Sequence, residues 1–481
     1  MVGGVSDNLA PVLRRSLTAA LLLTALALVP AGPAAAQTIA VDAFADSFDG
    51  SCTDGDCSLR DAIASAGGGD LIEVPSGFYP LTLIEAGGGA GDGSLEVMTD
   101  VELRGVGETG VFIDGSALGA PVFHVREPGN LALDDVTIFG ADTDVGGPAL
   151  WVVGGNASMR HVTITGGRGE RSGAVVLDQG ATLGVVGSLF LENRSSAGAG
   201  AIWTGRNGGG VAVRDSAFVD NRGARGGAID GRIMRLADTT LWGNVARTRG
   251  GAIWPVIRLR MVNVTIAANR ADRGAAIAIP QRENVPSRAH LTVIAGNRSR
   301  SGGACSGLDL LSAGRNVSDD AGCGLTGASD RVADPRLRSI GSYGGPTPTA
   351  ALGRGSPALD IGGGCTPTDQ RGAPRSGACD AGAYERVLCR GRAVDIVGTP
   401  GDDEFSGGRE DDTFLGLGGD DELQGSLGRD HACAGGGNDH VLGGPGNDVL
   451  RGGRGADQLD GEDGVDRCVG GPGRDELIAC E

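Results

Sequence analysis

Nine aspartates close the chain at one fixed interval: Asp403, Asp412, Asp421, Asp430, Asp439, Asp448, Asp457, Asp466 and Asp475 stand nine residues apart. Gly lies two positions before them at 401, 419, 428, 437, 446, 455, 464 and 473, and Glu410 is the one break. Two positions after them come Phe405, Phe414, Leu423, Ala432, Val441, Leu450, Leu459, Cys468 and Leu477. A solvated acidic tail has no physical cause to keep three residue types in phase. The pattern instead predicts a Gly-rich turn and a short strand per unit, with two units completing one coil. Alternate aspartates then stack on the same side, roughly 5 Å apart. Two unit charges at that distance repel by ~0.8 kcal/mol in water, and by more as the dielectric falls. A divalent cation between turns reverses the sign. Calcium suits such a site because it takes several carboxylate and carbonyl oxygens in flexible geometry, whereas magnesium demands a tighter octahedron. Soft metals want His or Cys at regular spacing, and neither recurs here. The candidate metal ligands are the nine aspartates with Gly419, Gly437, Gly446, Gly455 and Gly473.

Units such as Gly443-Gly444-Pro445-Gly446-Asn447-Asp448-Val449-Leu450 are similar to the hemolysin-type (RTX) calcium-binding nonapeptide. The resemblance implies a parallel β-roll over residues 389–481 that binds several Ca2+ ions, at an affinity matched to extracellular calcium, and is largely unfolded without them. The segment holds 21 acidic residues against 8 arginines, a net −13 of the chain's −19. Such an acidic balance argues against a nucleic-acid partner.

Ahead of the tail, short alternating runs recur at Val136-Thr137-Ile138, Val162-Thr163-Ile164, Ser188-Leu189-Phe190, Ser216-Ala217-Phe218, Thr240-Leu241-Trp242 and Val264-Thr265-Ile266. Turn asparagines follow at 193, 221, 244, 269 and 297, and then small-residue strand starts such as Gly227-Ala228-Ile229 and Gly251-Ala252-Ile253. Strands at a period of about 20–30 residues predict a solenoid. With 89 Gly among 481 residues, helical bundles are disfavoured, since each interior Gly destabilises a helix by about 1 kcal/mol. The fold class expected is all-β. This region resembles right-handed parallel β-helix proteins, so the chain reads as a right-handed parallel β-helix solenoid followed by a calcium-binding parallel β-roll.

Both ends of the solenoid carry further motifs. Cys57-Ser58-Leu59-Arg60-Asp61-Ala62-Ile63 resembles the CSLREA start of exported bacterial β-helix proteins, with Asp61 in place of the usual Glu. A short helix over 58–66 is predicted, with Ser58 as N-cap and Asp61 at the third helical position. Gly344-Gly345-Pro346, Gly355-Ser356-Pro357-Ala358-Leu359-Asp360, Asp369-Gln370-Arg371-Gly372 and Cys379-Asp380-Ala381-Gly382-Ala383-Tyr384-Glu385 are together similar to the choice-of-anchor Q domain, which implies closure of the coil. The expected organisation is a signal peptide over 1–36, a β-helix over 37–385 (N-terminal cap 37–80, closing segment 330–385) and the β-roll over 389–481.

Arg14-Arg15, the apolar run Leu17–Val29 and Ala34-Ala35-Ala36 before Gln37 read as a secretory signal, either general or twin-arginine. The run is too short to span a bilayer, so the mature chain is expected outside the cell with no membrane span. RTX tails elsewhere often leave by a dedicated channel without such a signal, and this chain departs from that pattern. Ten cysteines in an exported chain favour disulfides. They fall as the neighbours Cys52/Cys57, Cys305/Cys323, Cys365/Cys379 and Cys468/Cys480, with Cys389 and Cys433 left over.

No catalytic constellation stands out. Asp134-Asp135 and Asp142/Asp144 are candidate carboxylate pairs for glycoside hydrolysis, but adjacent strand residues face opposite ways. His124, His161, His290, His431 and His440 are isolated in sequence. Arg194, Arg222, Arg247, Arg270 and Arg298 sit at or near each turn Asn and, if the coils stack, form an edge that could grip an anionic polysaccharide. A solvated basic face is the plainer reading of that edge. Calcium binding is thus the function expected. An extracellular polysaccharide lyase or glycosidase and a non-catalytic adhesin binding a cell surface are the alternatives.

Overall fold

The computed structural model of the chain describes residues 36–53, 55–84, 93–205, 207–280, 286–307, 310–375 and 377–481. Of the export signal expected over 1–36, only Ala36 lies among them. No helix among the described residues is long and apolar enough to cross a membrane.

The described chain is almost wholly parallel β-structure. Each solenoid coil lends strands to three long stacks. Asn130–Asp134, Asn156–Arg160, Thr182–Val186 and Gly210–Arg214 pair in one. Val136–Phe139, Thr163–Thr165, Leu189–Leu191 and Ala217–Val219 pair in the second. Phe123–Arg126, Leu150–Val153, Val175–Asp178 and Ile202–Thr204 pair in the third. A separate seven-stranded sheet of very short strands runs from Asp142–Thr143 to Arg298–Ser299. Alternation decides what is buried: Leu131, Ala157, Leu183, Val211, Met234 and Leu259 follow one another in register and all point into the core.

The corner between the first two stacks needs a left-handed backbone. Asp135, His161, Asp215, Asp238 and Asn263 supply it, with φ of 54, 50, 54, 42 and 53°. Asn, Asp and His tolerate that region better than other side chains.

The turn asparagines prove to be interior. Asn193, Asn221, Asn244 and Asn269 have no exposed surface. Each Nδ2 donates to a strand carbonyl (Ile164, Phe190, Phe218 and Leu241, at 2.9, 2.9, 2.9 and 3.0 Å) and to the Oδ1 of the next asparagine. Backbone N–H groups of Asn193, Asn221, Asn244 and Asn269 donate to the same Oδ1 column at 2.8–3.0 Å. A buried turn thereby has its amides and carbonyls satisfied from one coil to the next.

At the start of the solenoid a helix, α1 (Leu59–Ser65), is capped as the sequence predicts. Ser58 Oγ accepts the Asp61 N–H at 3.1 Å. Arg60 grips Asp46 through two contacts of 2.8 and 3.1 Å. All ten cysteines are bridged, as Cys52–Cys57, Cys305–Cys323, Cys365–Cys379, Cys389–Cys433 and Cys468–Cys480.

Residues 337–386 do not simply continue the coil past its last strand. After an antiparallel pair, Leu337–Gly341 with Thr349–Leu352, the chain packs back along the flank. It touches the corner column at Asn263, Asp238 and Asp215, and the following coils at His290 and Arg315. The Arg375 side chain is fully buried and binds both Asp238 at 3.0 Å and Glu385 at 2.8 Å. Arg371 is held by Asp369 at 2.7 Å and lies over the Tyr384 ring.

The last segment is two five-stranded parallel sheets. One runs from Ile396–Val397 to Arg467–Val469 and the other from Glu404–Ser406 to Glu476–Ile478. Leu423, Val441 and Leu459 from one sheet meet Phe414, Ala432 and Leu450 from the other in a core one residue wide per unit. The roll is tied to the preceding segment by Arg338–Asp395 at 3.0 Å and by the Val397 N–H on the Tyr343 carbonyl at 3.2 Å, and Cys389–Cys433 clips the start of its own segment onto its strands.

Candidate metal centre

Two units make one coil, so aspartates 18 residues apart are neighbours. Asp403, Asp421, Asp439, Asp457 and Asp475 line one side of the roll, and Asp412, Asp430, Asp448 and Asp466 the other. Each carboxylate splits its two oxygens between two tasks. Oδ1 accepts the backbone N–H of the aspartate one coil earlier, at 2.7–3.2 Å along both columns. Oδ2 of Asp421, Asp430, Asp439, Asp448, Asp457 and Asp466 is buried with no hydrogen-bond partner among the described residues. In the first unit of each column the arrangement differs: Asp403 Oδ2 accepts the Thr399 N–H at 2.6 Å and Asp412 Oδ2 the Gly408 N–H at 2.8 Å.

An unpartnered buried carboxylate oxygen is strongly unfavourable, and here it recurs in register. Burial, and after it the neighbouring aspartates, push Asp421 up to about 7 and Asp430 up to about 6, although backbone N–H donors pull the other way. Asp439, Asp448 and Asp457 are raised for the same reasons. Hard oxygen donors of this kind fit calcium.

The glycines serve the close approach of coils. A Cβ on Gly437 would strike the Gly419 carbonyl, one on Gly446 that of Gly428, one on Gly455 that of Gly437, and one on Gly473 that of Gly455. Gly419, Gly437 and Gly455 also hold φ of 108, 135 and 135°.

A second polar column escaped the sequence reading. Asp402, Asp420 and Asn438 pass hydrogen bonds from coil to coil at 2.8, 2.6 and 2.9 Å, as do Asp411 and Asn447 on the other side at 2.9 and 3.0 Å. The signal was the run of Asp and Asn immediately before the repeated Asp.

On the solenoid, Arg194, Arg222, Arg270 and Arg298 are exposed and share a register. Arg247 departs from the expected edge. Val245 stands in register between Arg222 and Arg270, and Arg247 instead donates to the Ser196 carbonyl. The pair Asp134-Asp135 also differs from expectation. The left-handed Asp135 breaks strand alternation, so both carboxylates turn toward His161, with Nδ1 at 3.2 Å from Asp135 and 3.9 Å from Asp134. His124 is likewise partnered, by Glu96 at 2.9 Å and by stacking on Trp151.

No curated protein matches this sequence. Among solved structures, a PL6 family alginate lyase, AlyGC, aligns over 92% of this chain and 74% of its own, at 11% identity and a TM-score of 0.26. A point mutant of the same lyase aligns at 10% identity and a TM-score of 0.23. Scores this low carry no argument, and the fold rests on the strand register. Residues 397–432, 415–450 and 442–477 match the family described as RTX calcium-binding nonapeptide repeat, so the C-terminal segment of this chain carries calcium-binding RTX repeats.

Proposed function

We propose that this is an exported protein whose residues 389–481 take up several calcium ions and fold around them, carried by residues 37–385 as a rigid solenoid. The observation that carries the reading is the row of buried, unpartnered Oδ2 atoms on Asp421, Asp430, Asp439, Asp448, Asp457 and Asp466. Those oxygens, the two carboxylates that open the columns, Asp475 and the turn carbonyls of the glycine column would hold the ions. Calcium supplies charge neutralisation there, and in the folded roll the Oδ1 bonds between coils fix the carboxylates from Asp421 to Asp475. The export signal expected over 1–36 and the five disulfides fit folding outside the cytosol. Extracellular calcium would then drive the transition. The CSLREA-like start and choice-of-anchor-like segment fit the same reading as the cap and the closing segment of the solenoid.

Calorimetric titration of calcium into the chelator-stripped full chain tests the proposal. Uptake of several ions, accompanied by a gain in far-ultraviolet β signal, is expected. Absence of calcium uptake overturns it.

A further inference from the structure

A cleft of about 1030 Å³ opens on the third strand stack of the solenoid, well away from the repeat aspartates. Its floor is an outward column in which Trp203, Asp230 and Trp254 follow one another in register on successive coils. Its wall is a second column, Arg225, Arg249 and Arg273, also in register. Arg225 covers the Trp254 ring at 4.4 Å and reaches Asp230 at 3.7 Å. Among the described residues, Arg249 and Arg273 are exposed and make no ion pair. Arg232 lines the same space.

Three guanidinium groups stacked at a rung spacing of about 4.8 Å repel one another. In a chain of net charge −19, so concentrated a patch of cations, two of them unpaired, marks a place for an anion. Each guanidinium offers a planar fork that matches a carboxylate. The Trp254 face carries Arg225 at 4.4 Å and Trp203 has Arg171 more loosely above it at 5.8 Å, so the cleft combines aromatic walls with a few placed polar groups. Burial pushes Asp230 up to about 7, with Arg225 opposing, so near neutrality its carboxyl can also donate a hydrogen bond.

We propose that this cleft binds an acidic oligosaccharide with a carboxylate on each sugar, lying across successive coils so that its carboxylates meet the arginine column and a sugar ring lies against Trp203. Single-stranded nucleic acid also combines repeating anions with stackable rings, but its affinity rests on many phosphate contacts, and the cleft offers one short column of three arginines. Binding is the whole of the proposal, and it stands independently of calcium uptake by the roll.

The test uses the calcium-loaded full chain at buffered free calcium, with the roll's calcium uptake measured before any ligand is added. Tryptophan fluorescence and calorimetry follow titration with hexamers of galacturonate, mannuronate and guluronate, with methyl-esterified hexagalacturonate, and with a single-stranded hexanucleotide. At least one uronate hexamer is expected to bind and perturb tryptophan emission, and the ester to bind at least tenfold more weakly. The double variant Arg249→Ala/Arg273→Ala should lose at least tenfold in affinity for that hexamer with an unchanged circular dichroism spectrum. Because the fold could suffer if a tryptophan were removed, the exposed arginines are the variants of choice. Equal binding of the ester, tighter binding of the hexanucleotide, unaltered affinity in the double variant, or no uronate binding each overturns the proposal.

Discussion

Asp430 Oδ1 accepts the backbone N–H of Asp412 at 2.8 Å, while its buried Oδ2 meets no donor among the described residues. Half of the carboxylate thus belongs to the fold, and half awaits something positive. That division repeats along both columns, and it separates two effects that are measurable apart.

Calcium removal should loosen the roll and spare the solenoid. In hydrogen exchange of the full chain, amides from Asp403 to Asp475 should lose protection on chelation, while the Asn193–Asn269 ladder keeps it. Cys389–Cys433 and Cys468–Cys480 hold the segment's two ends without supplying its missing cations. Equal protection of the roll in both states would falsify the idea that the ions complete it.

Asp439→Asn keeps an Oδ1 to accept from Asp421 but removes the charge beside the ion. The expected result is a calcium midpoint raised about tenfold, equivalent to ~1.4 kcal/mol. Asp475→Asn, at the end of its column, should shift the midpoint less. A titration in which the two variants behave alike would contradict sharing of ions between coils.

Gly437→Ala and Gly436→Ala form a matched pair. Gly437 sits at φ 135° against the Gly419 carbonyl, whereas a Cβ at Gly436 meets nothing within 4 Å. The first change should destabilise the calcium-loaded roll by more than about 1 kcal/mol, and the second should be close to neutral. Urea unfolding followed at the roll discriminates them.

Asn244→Ala strips the Phe218 carbonyl and the Asn221 N–H of partners inside the solenoid. Each orphaned group costs about 1–3 kcal/mol, so the solenoid's urea midpoint should fall clearly. Arg194→Ala, on the exposed edge, should move stability by no more than about 0.5 kcal/mol. Comparable shifts for the two would mean that the ladder carries no special share of stability.

The flank docking of residues 337–386 should weaken as pH rises. Burial pushes Asp238 up to about 6 and Glu385 up to about 7, despite Arg375 beside both. Asp215, nearby, is raised to about 7 by burial and then by Asp238, with Arg214 and Arg375 opposing. Carboxyls with folded-state values above their unfolded ones bind more protons when folded, so stability falls as pH climbs from about 4 to 7. At saturating calcium, thermal unfolding should occur at higher temperature at pH 5 than at pH 8. Asp238→Asn should narrow that gap, and an unchanged gap would count against the assignment.

What could be read from the sequence was whatever repeats by translation. Nine aspartates in phase with Gly and an apolar residue imply stacked turns, because any other arrangement would scatter the phase. Strand triplets at a regular period likewise imply coils. Ser58 and Asp61 announce a helix start through purely local hydrogen bonding.

Other features depended on which coil meets which distant segment. Asp238 and Arg375 are 137 residues apart in sequence, and nothing local in either says that the chain turns back along the flank. The left-handed Asp135 faces its neighbour's side only because the corner bends there. Arg247 loses its expected place because its coil puts Val245 in the column. The Trp203–Trp254 cleft exists because residues from separate coils coincide in register. Local periodicity determines the kind of structure, but pairings across long stretches of chain depend on how coils of unequal length stack, and only the folded molecule decides them.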